Sequence, residues 1–143
     1  SAASDVYKRQ GMQVALAHPP GYELDDEVLA EAREASGGEL PTAMPLEEAA
    51  DGADIVYARS WRSLEDYGNP TLAASRRSRF TQWRIDQRVM ERGNDARLMH
   101  AMPIRRNVEV SDEVLDGPAS LVYQQAANRL HTQKALLCHL LGR

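Results

Sequence analysis

The chain reads as an α/β protein: a Rossmann-like, mostly parallel sheet flanked by helices, ending in one long C-terminal helix. Three observations carry that expectation. Short β-prone runs alternate with helical patterns along the chain, as parallel strands joined by crossover helices do. The tightest of these runs, residues 54–59 and 97–101, release into polar loops. At 143 residues and 43% hydrophobic content, the chain is long enough for one domain with a real core.

The elements follow in order. Gln13-Val14-Ala15-Leu16-Ala17-His18 is a short β-prone run stopped by the turn signal Pro19-Pro20-Gly21. Asp25-Asp26 opens a helix whose apolar residues Val28, Leu29, Ala32 and Ala35 recur at helical spacing, and Gly37-Gly38 ends it. Residues 40–44 suit a second short strand. Pro45 then stands at a helix start, with Glu47-Glu48 in the first turn where the helix dipole favours negative charge. Residues 54–59 form a third strand, apolar enough to be buried in a parallel sheet.

From Ser60 to Arg84 the pattern loosens. Gly68-Asn69-Pro70 reads as a turn, and Arg76, Arg77, Arg79 and Arg84 make a basic cluster, read as a solvated or subunit-facing surface rather than a polyanion site. Residues 85–91 read as a helix ended by Gly93, and 97–101 as the fourth strand. Ser111 suits the N-cap of a short helix, which Pro118 breaks. Leu121-Val122-Tyr123 reads as a last short strand before the longest helix, residues 124–141. Residues 1–10 have no clean period. They look like foreign sequence joined to a truncated gene, or a disordered native tail, and are set aside.

Composition excludes several classes of function. The formal net charge of -4 argues against nucleic acid as a general partner. No apolar run reaches the roughly 18 residues that a membrane span needs. No basic-then-apolar leader pattern opens the chain. A lone cysteine, Cys138, excludes an internal disulfide, fits a reducing cytoplasmic setting, and among four leucines reads as a buried structural thiol. His18, His100, His131 and His139 form no ligand pair at zinc spacing, so no metal is expected. Neither Gly-x-Gly-x-x-Gly, a P-loop nor Gly-x-Ser-x-Gly occurs, so no nucleotide cofactor and no nucleophilic serine are expected.

What remains is a set of cations at strand ends: Arg59, the pair Arg105-Arg106, and Arg129 on the final helix. Guanidinium groups there suit an anionic ligand such as a phosphate or carboxylate. They serve reactions that need orientation and charge stabilisation rather than covalent chemistry.

Two motifs give the chain a family likeness. His100-Ala101-Met102-Pro103 followed by Asn128-Arg129-Leu130-His131 resembles the second half of a carbamoyltransferase, where a His-Cys-Leu-Pro or His-Pro-Leu-Pro segment precedes a Glu-Asn-Arg-x-His helix. The resemblance implies a two-domain enzyme acting as a homotrimer, of which this chain is a C-terminal fragment, inactive alone. On that reading residues 11–123 are most of the amine-binding domain, the incomplete second domain. Residues 124–143 are the helix that returns to the carbamoyl phosphate domain.

The resemblance also implies site roles. Arg129 would hold phosphate or carbamoyl oxygens of carbamoyl phosphate, and His100, Ala101 and Met102 would line the carbamoyl group through main-chain carbonyls. Arg59, Trp61, Ser63 and Arg105 would take the amine substrate. In ornithine enzymes an aspartate stands where Arg59 stands and pairs with the free α-ammonium. Tyr57-Ala58-Arg59-Ser60-Trp61 is instead similar to the Tyr-Ala-Lys-Ser-Trp of N-acetylornithine and N-succinylornithine carbamoyltransferases. An acylated α-nitrogen carries no charge, which leaves the cation to hold the α-carboxylate. The alternatives are that Arg59 salt-bridges a neighbouring carboxylate, that the amine is ornithine, aspartate or another, or that the chain is a non-catalytic ligand-binding relative. Two departures from the family pattern stand out: Ala101 in place of cysteine and Ala127 in place of glutamate.

Overall fold

The computed structural model describes residues 12–23, 25–27, 30, 43–61, 63 and 66–142. The named elements are α1 (Leu46–Ala50), β1 (Ile55–Ala58), α2 (Pro70–Arg77), a 3-10 turn (Thr81–Trp83), α3 (Gln87–Glu91), β2 (Arg97–His100), α4 (Asp112–Leu115) and α5 (Val122–Leu140). The architecture is α/β, as the alternation of patterns implied. β1 and β2 pair in parallel, Ile55 opposite Arg97 and Ala58 opposite His100, so both strands release their chains at the same edge.

The core forms where this small sheet meets α3, α4 and the start of α5. Leu98, Val110 and Val122 are wholly buried, with Val89, Val114, Leu115, Ile85 and Met90 around them. Each large aliphatic side chain so buried contributes about 1.5–3 kcal/mol. The alternation of β2 is visible in that packing: Leu98 and His100 point inward and Arg97 outward.

Several expectations need correction. The first run, residues 13–18, makes only a single parallel bridge between Leu16 and Ala43, supported by the Met44 N–H donating to the Leu16 carbonyl at 3.0 Å. A ladder needs a partner along its whole length, and among the described residues this run has one at one point. Of the helix expected after Asp25, Asp26, Glu27 and Ala30 are helical; its remaining residues, and residues 40–42 of the second strand, lie outside the described residues.

Leu121-Val122-Tyr123 is not a strand. Ser120 bridges Leu98, the Leu121 N–H reaches the Leu98 carbonyl at 2.9 Å, and the chain turns helical at Val122. One bridge on the free edge of β2 is all that precedes α5. Gly68-Asn69-Pro70 is more than a turn: the Asn69 side chain accepts from the Leu72 N–H at 3.0 Å, and Pro70 is the first residue of α2.

Ser111 occupies the N-cap of α4 but its hydroxyl makes no cap bond. The Asn107 side chain takes the Asp112 N–H instead, through Oδ1 at 3.1 Å. The basic cluster is not wholly solvated either: Arg76 is turned inward, 3.5 Å from the buried Asp66 and bonded to Ser63. Cys138 is half-exposed, and Leu136, Leu137, Leu140 and Leu141 around it are open, because among the described residues nothing packs over this half of α5.

Gly93 offers a test of the packing between α3 and the turn before β1. A Cβ there would lie 2.5 Å from the Ala96 Cβ and 2.7 Å from the Ala53 carbonyl oxygen. Gly93→Ala is expected to destabilise the fold by about 1–3 kcal/mol. The check is a urea midpoint that falls with an unchanged slope.

Candidate functional site

The parallel register brings two loops to one edge of the sheet, 59–61 after β1 and 101–106 after β2. They are tied together: the Ser60 hydroxyl donates to the Pro103 carbonyl at 3.2 Å. A second tie comes from α5. Gln125 accepts the His100 N–H through Oε1 at 3.0 Å and donates from Nε2 to the Tyr57 hydroxyl at 3.1 Å. One helical side chain thereby links the ends of both strands.

His100 is 3% exposed. Its Nδ1 accepts the Met102 N–H at 2.8 Å, so the neutral ring carries its proton on Nε2. That Nε2 is buried with no hydrogen-bond partner among the described residues. Burial pushes the imidazole below its usual pKa; the Glu109 carboxylate opposes this and the Arg59 charge adds to it. Met102 has φ +53°, the left-handed region that an unbranched non-glycine side chain enters only at a cost. Ala101 and Met102 are exposed at this edge.

Arg59 and Arg129 line different hollows. Arg59 is exposed at the end of β1, on the rim of a cavity of about 490 Å³ shared with Ser60, Trp61, Tyr22, Trp83 and Glu109. Tyr22 forms its aromatic wall, edge-on to Phe80 at 5.9 Å and tilted against Trp61 at 6.1 Å. Arg129 lines a shallower hollow with Met99, Gln125 and Asn128. Neither guanidinium makes an ion pair or side-chain hydrogen bond among the described residues. The neighbouring-carboxylate alternative for Arg59 thus has no partner among them.

The doubly basic loop is used differently. Arg106 is a strut: it grips Asp116 with both terminal nitrogens at 2.7 and 2.8 Å, Asp112 at 2.7 Å and the Tyr123 hydroxyl at 3.0 Å. This fastens the loop to α4 and α5 and holds both carboxyls below their ordinary pKa. Arg105 is half-held. Glu109, 1% exposed, accepts the Arg105 backbone N–H and, at 2.7 Å, one guanidinium nitrogen, while the Arg105 side chain stays 39% exposed. Ser63, half-buried, accepts from Arg76 at 3.3 Å rather than standing open.

Gln125 and Glu109 are the residues that sequence reasoning missed. Glu109 had a signal, four residues after Arg105 with opposite charge. Gln125 had only its place one turn before Arg129 on the same helix. Among the described residues no group of three His, Cys, Asp or Glu is disposed to hold a metal, and no helix is long and apolar enough to cross a membrane.

Parallel strands that release into polar loops at one edge, with Arg59 unpaired among the described residues at the end of β1, are the pattern of α/β domains whose ligand sites lie at a sheet edge. Residues 3–140 match the family model for the aspartate/ornithine carbamoyltransferase Asp/Orn-binding domain. The chain belongs to that family.

It is 44% identical over 135 residues to an ornithine carbamoyltransferase of Parafrankia sp. (strain EAN1pec), covering 92% of this chain and 42% of that protein. It is 36% identical over 146 residues to an N-acetylornithine carbamoyltransferase of Xanthomonas campestris pv. campestris, covering 99% of this chain and 43% of that one. Its fold matches an N-acetyl-L-ornithine transcarbamylase mutant complexed with carbamyl phosphate and N-succinyl-L-norvaline, at TM-score 0.80 and 36% identity, over 96% of this chain and 43% of that one. An acetylornithine transcarbamylase complexed with acetylcitrulline matches at TM-score 0.80 and 35% identity, over 97% of this chain and 43% of that one. The chain spans less than half the length of these relatives.

Proposed function

We propose that this chain is the amine-binding part of a carbamoyltransferase that moves a carbamoyl group from carbamoyl phosphate to the δ-amine of an N-acylated ornithine. The products are the N-acylcitrulline and phosphate, a step of arginine biosynthesis. The observation that carries the substrate reading is Arg59: an exposed cation at the end of β1, beside Trp61, with no carboxylate partner among the described residues. A free α-ammonium would meet it as a like charge, whereas an α-carboxylate beside an acylated nitrogen would pair with it.

The neutral δ-amine attacks the carbamoyl carbon and phosphate leaves, with no acyl-enzyme. Arg129 stabilises the charge that develops on oxygen, and the main-chain carbonyls of residues 100–102 orient the carbamoyl amide. The open leucines of α5 support its docking onto a carbamoyl phosphate domain in a trimeric full-length protein.

One observation favours a second reading, free ornithine as substrate. That observation is the Parafrankia relative, which is named an ornithine carbamoyltransferase. Citrulline formation by the full-length protein from carbamoyl phosphate and N-acetylornithine, N-succinylornithine or ornithine decides between them. An acylated substrate is expected to lead by about tenfold or more in kcat/KM, the equivalent of one charge-assisted hydrogen bond. Preference for ornithine would overturn the Arg59 reading and leave the family intact.

A further inference from the structure

We propose that His100 is a positioning residue: through Nδ1 its ring holds Met102 in the left-handed conformation, and so sets where the main-chain carbonyls of residues 100–102 point. This rests on the reading that those carbonyls meet the carbamoyl group.

The geometry is local and over-determined. Met102 at φ +53° is in a backbone state that costs an ordinary residue about 1–2 kcal/mol, so something must hold it there. The one side-chain acceptor on its N–H is His100 Nδ1 at 2.8 Å. A ring nitrogen taking the N–H two residues on repeats the bond pattern of an Asx turn. The ring itself cannot drift. It is 3% exposed at the end of β2, and its backbone N–H is fixed by Gln125, which also holds Tyr57 on β1.

Acceptance at Nδ1 requires an unprotonated Nδ1, and the surroundings keep it so. Burial and the Arg59 charge disfavour the imidazolium, against an opposing Glu109. The other neighbours on α5 and β1, Gln125 and the Tyr57 hydroxyl, are neutral groups. A protonated ring would have no acceptor to offer, and Met102 would be free to leave the left-handed region.

The isosteric pair of amides separates this role from mere packing. Asparagine places an acceptor where Nδ1 sits and is itself at ease before such a turn; glutamine places its polar atoms at the level of Nε2. In the full-length protein, His100→Gln is expected to lose about a hundredfold in kcat with little change in KM, the usual effect of misplacing reacting groups by about 1 Å, and His100→Asn is expected to recover most of that loss. The second readout is hydrogen exchange at the Met102 amide, slow in the parent and His100→Asn and fast in His100→Gln.

The exchange measurement does not depend on which amine is the substrate. If the parent turns over none of the three amines but the exchange pattern holds, the functional reading fails and the positioning role stands. If asparagine and glutamine variants exchange alike, or lose kcat alike at equal thermal stability, the positioning role is overturned.

Discussion

Arg129→Ala is expected to lower the kcat of the full-length protein by about two to three orders of magnitude while leaving KM for the amine substrate nearly unchanged. The expectation comes from where the residue stands. It lies two turns into α5, on a helix already fastened to the strand ends through Gln125, and lines a hollow with Met99 and Asn128. Its guanidinium is exposed and bonded to nothing among the described residues, so no internal role competes for it. Removing it would cost little stability, because no buried carboxylate is left behind.

Charge on oxygen grows as the carbamoyl–phosphate bond lengthens, and a fixed cation acts most on that state. Arg129→Lys keeps the charge and loses the planar fork, and should fall between the parent and alanine. Steady-state kinetics with both substrates varied is the check. An alanine variant with parent kcat and a raised KM for carbamoyl phosphate would make Arg129 a ground-state anchor instead.

The parts of this fold that sequence showed well are those where burial repeats a simple pattern. Ile55–Ala58 and Arg97–His100 fall inside the expected runs because apolar, β-prone residues end there at polar loops. Gln87–Glu91 was visible through Val89 and Met90, both buried. α2 was not, and the reason is physical: none of its residues is buried, so Pro70–Arg77 carries no apolar stripe to read. Leu121-Val122-Tyr123 fits a short strand and a helix start equally well, and periodicity over three residues cannot separate them.

The site divides in the same way. Arg59 after a strand and Arg129 on the final helix stand out as cations by residue type and place alone, and both are exposed. Whether Arg105 and Arg106 were equally open was not, since their partners Glu109, Asp112 and Asp116 are chosen by the turn geometry. The bonds of Gln125 span 25 and 68 residues of sequence, and no local pattern announces them.

Arg59→Asp should exchange one substrate class for another. Against an N-acylornithine the variant is expected to lose about a hundredfold or more in kcat/KM. A charge-assisted hydrogen bond of about 1.5–3 kcal/mol disappears, and a carboxylate now faces the substrate's own. Against free ornithine the change has the opposite sign, because a carboxylate on the cavity wall attracts the α-ammonium that Arg59 repels. Arg59→Ala separates the two effects, since it removes the attraction for the α-carboxylate without adding repulsion.

The quantity to compare is the ratio of kcat/KM for the two substrates in each protein, because specificity is a difference between transition-state affinities. A side effect provides an internal control. Arg59 is one of the charges that hold the His100 imidazole below its usual pKa, so replacing it should let that pKa rise in either variant. An NMR titration that shows the rise while the substrate ratio stays fixed would mean that Arg59 is in place but does not choose the amine. A ratio that inverts in Arg59→Asp, and only weakens in Arg59→Ala, is what a charge selector at the end of β1 must produce.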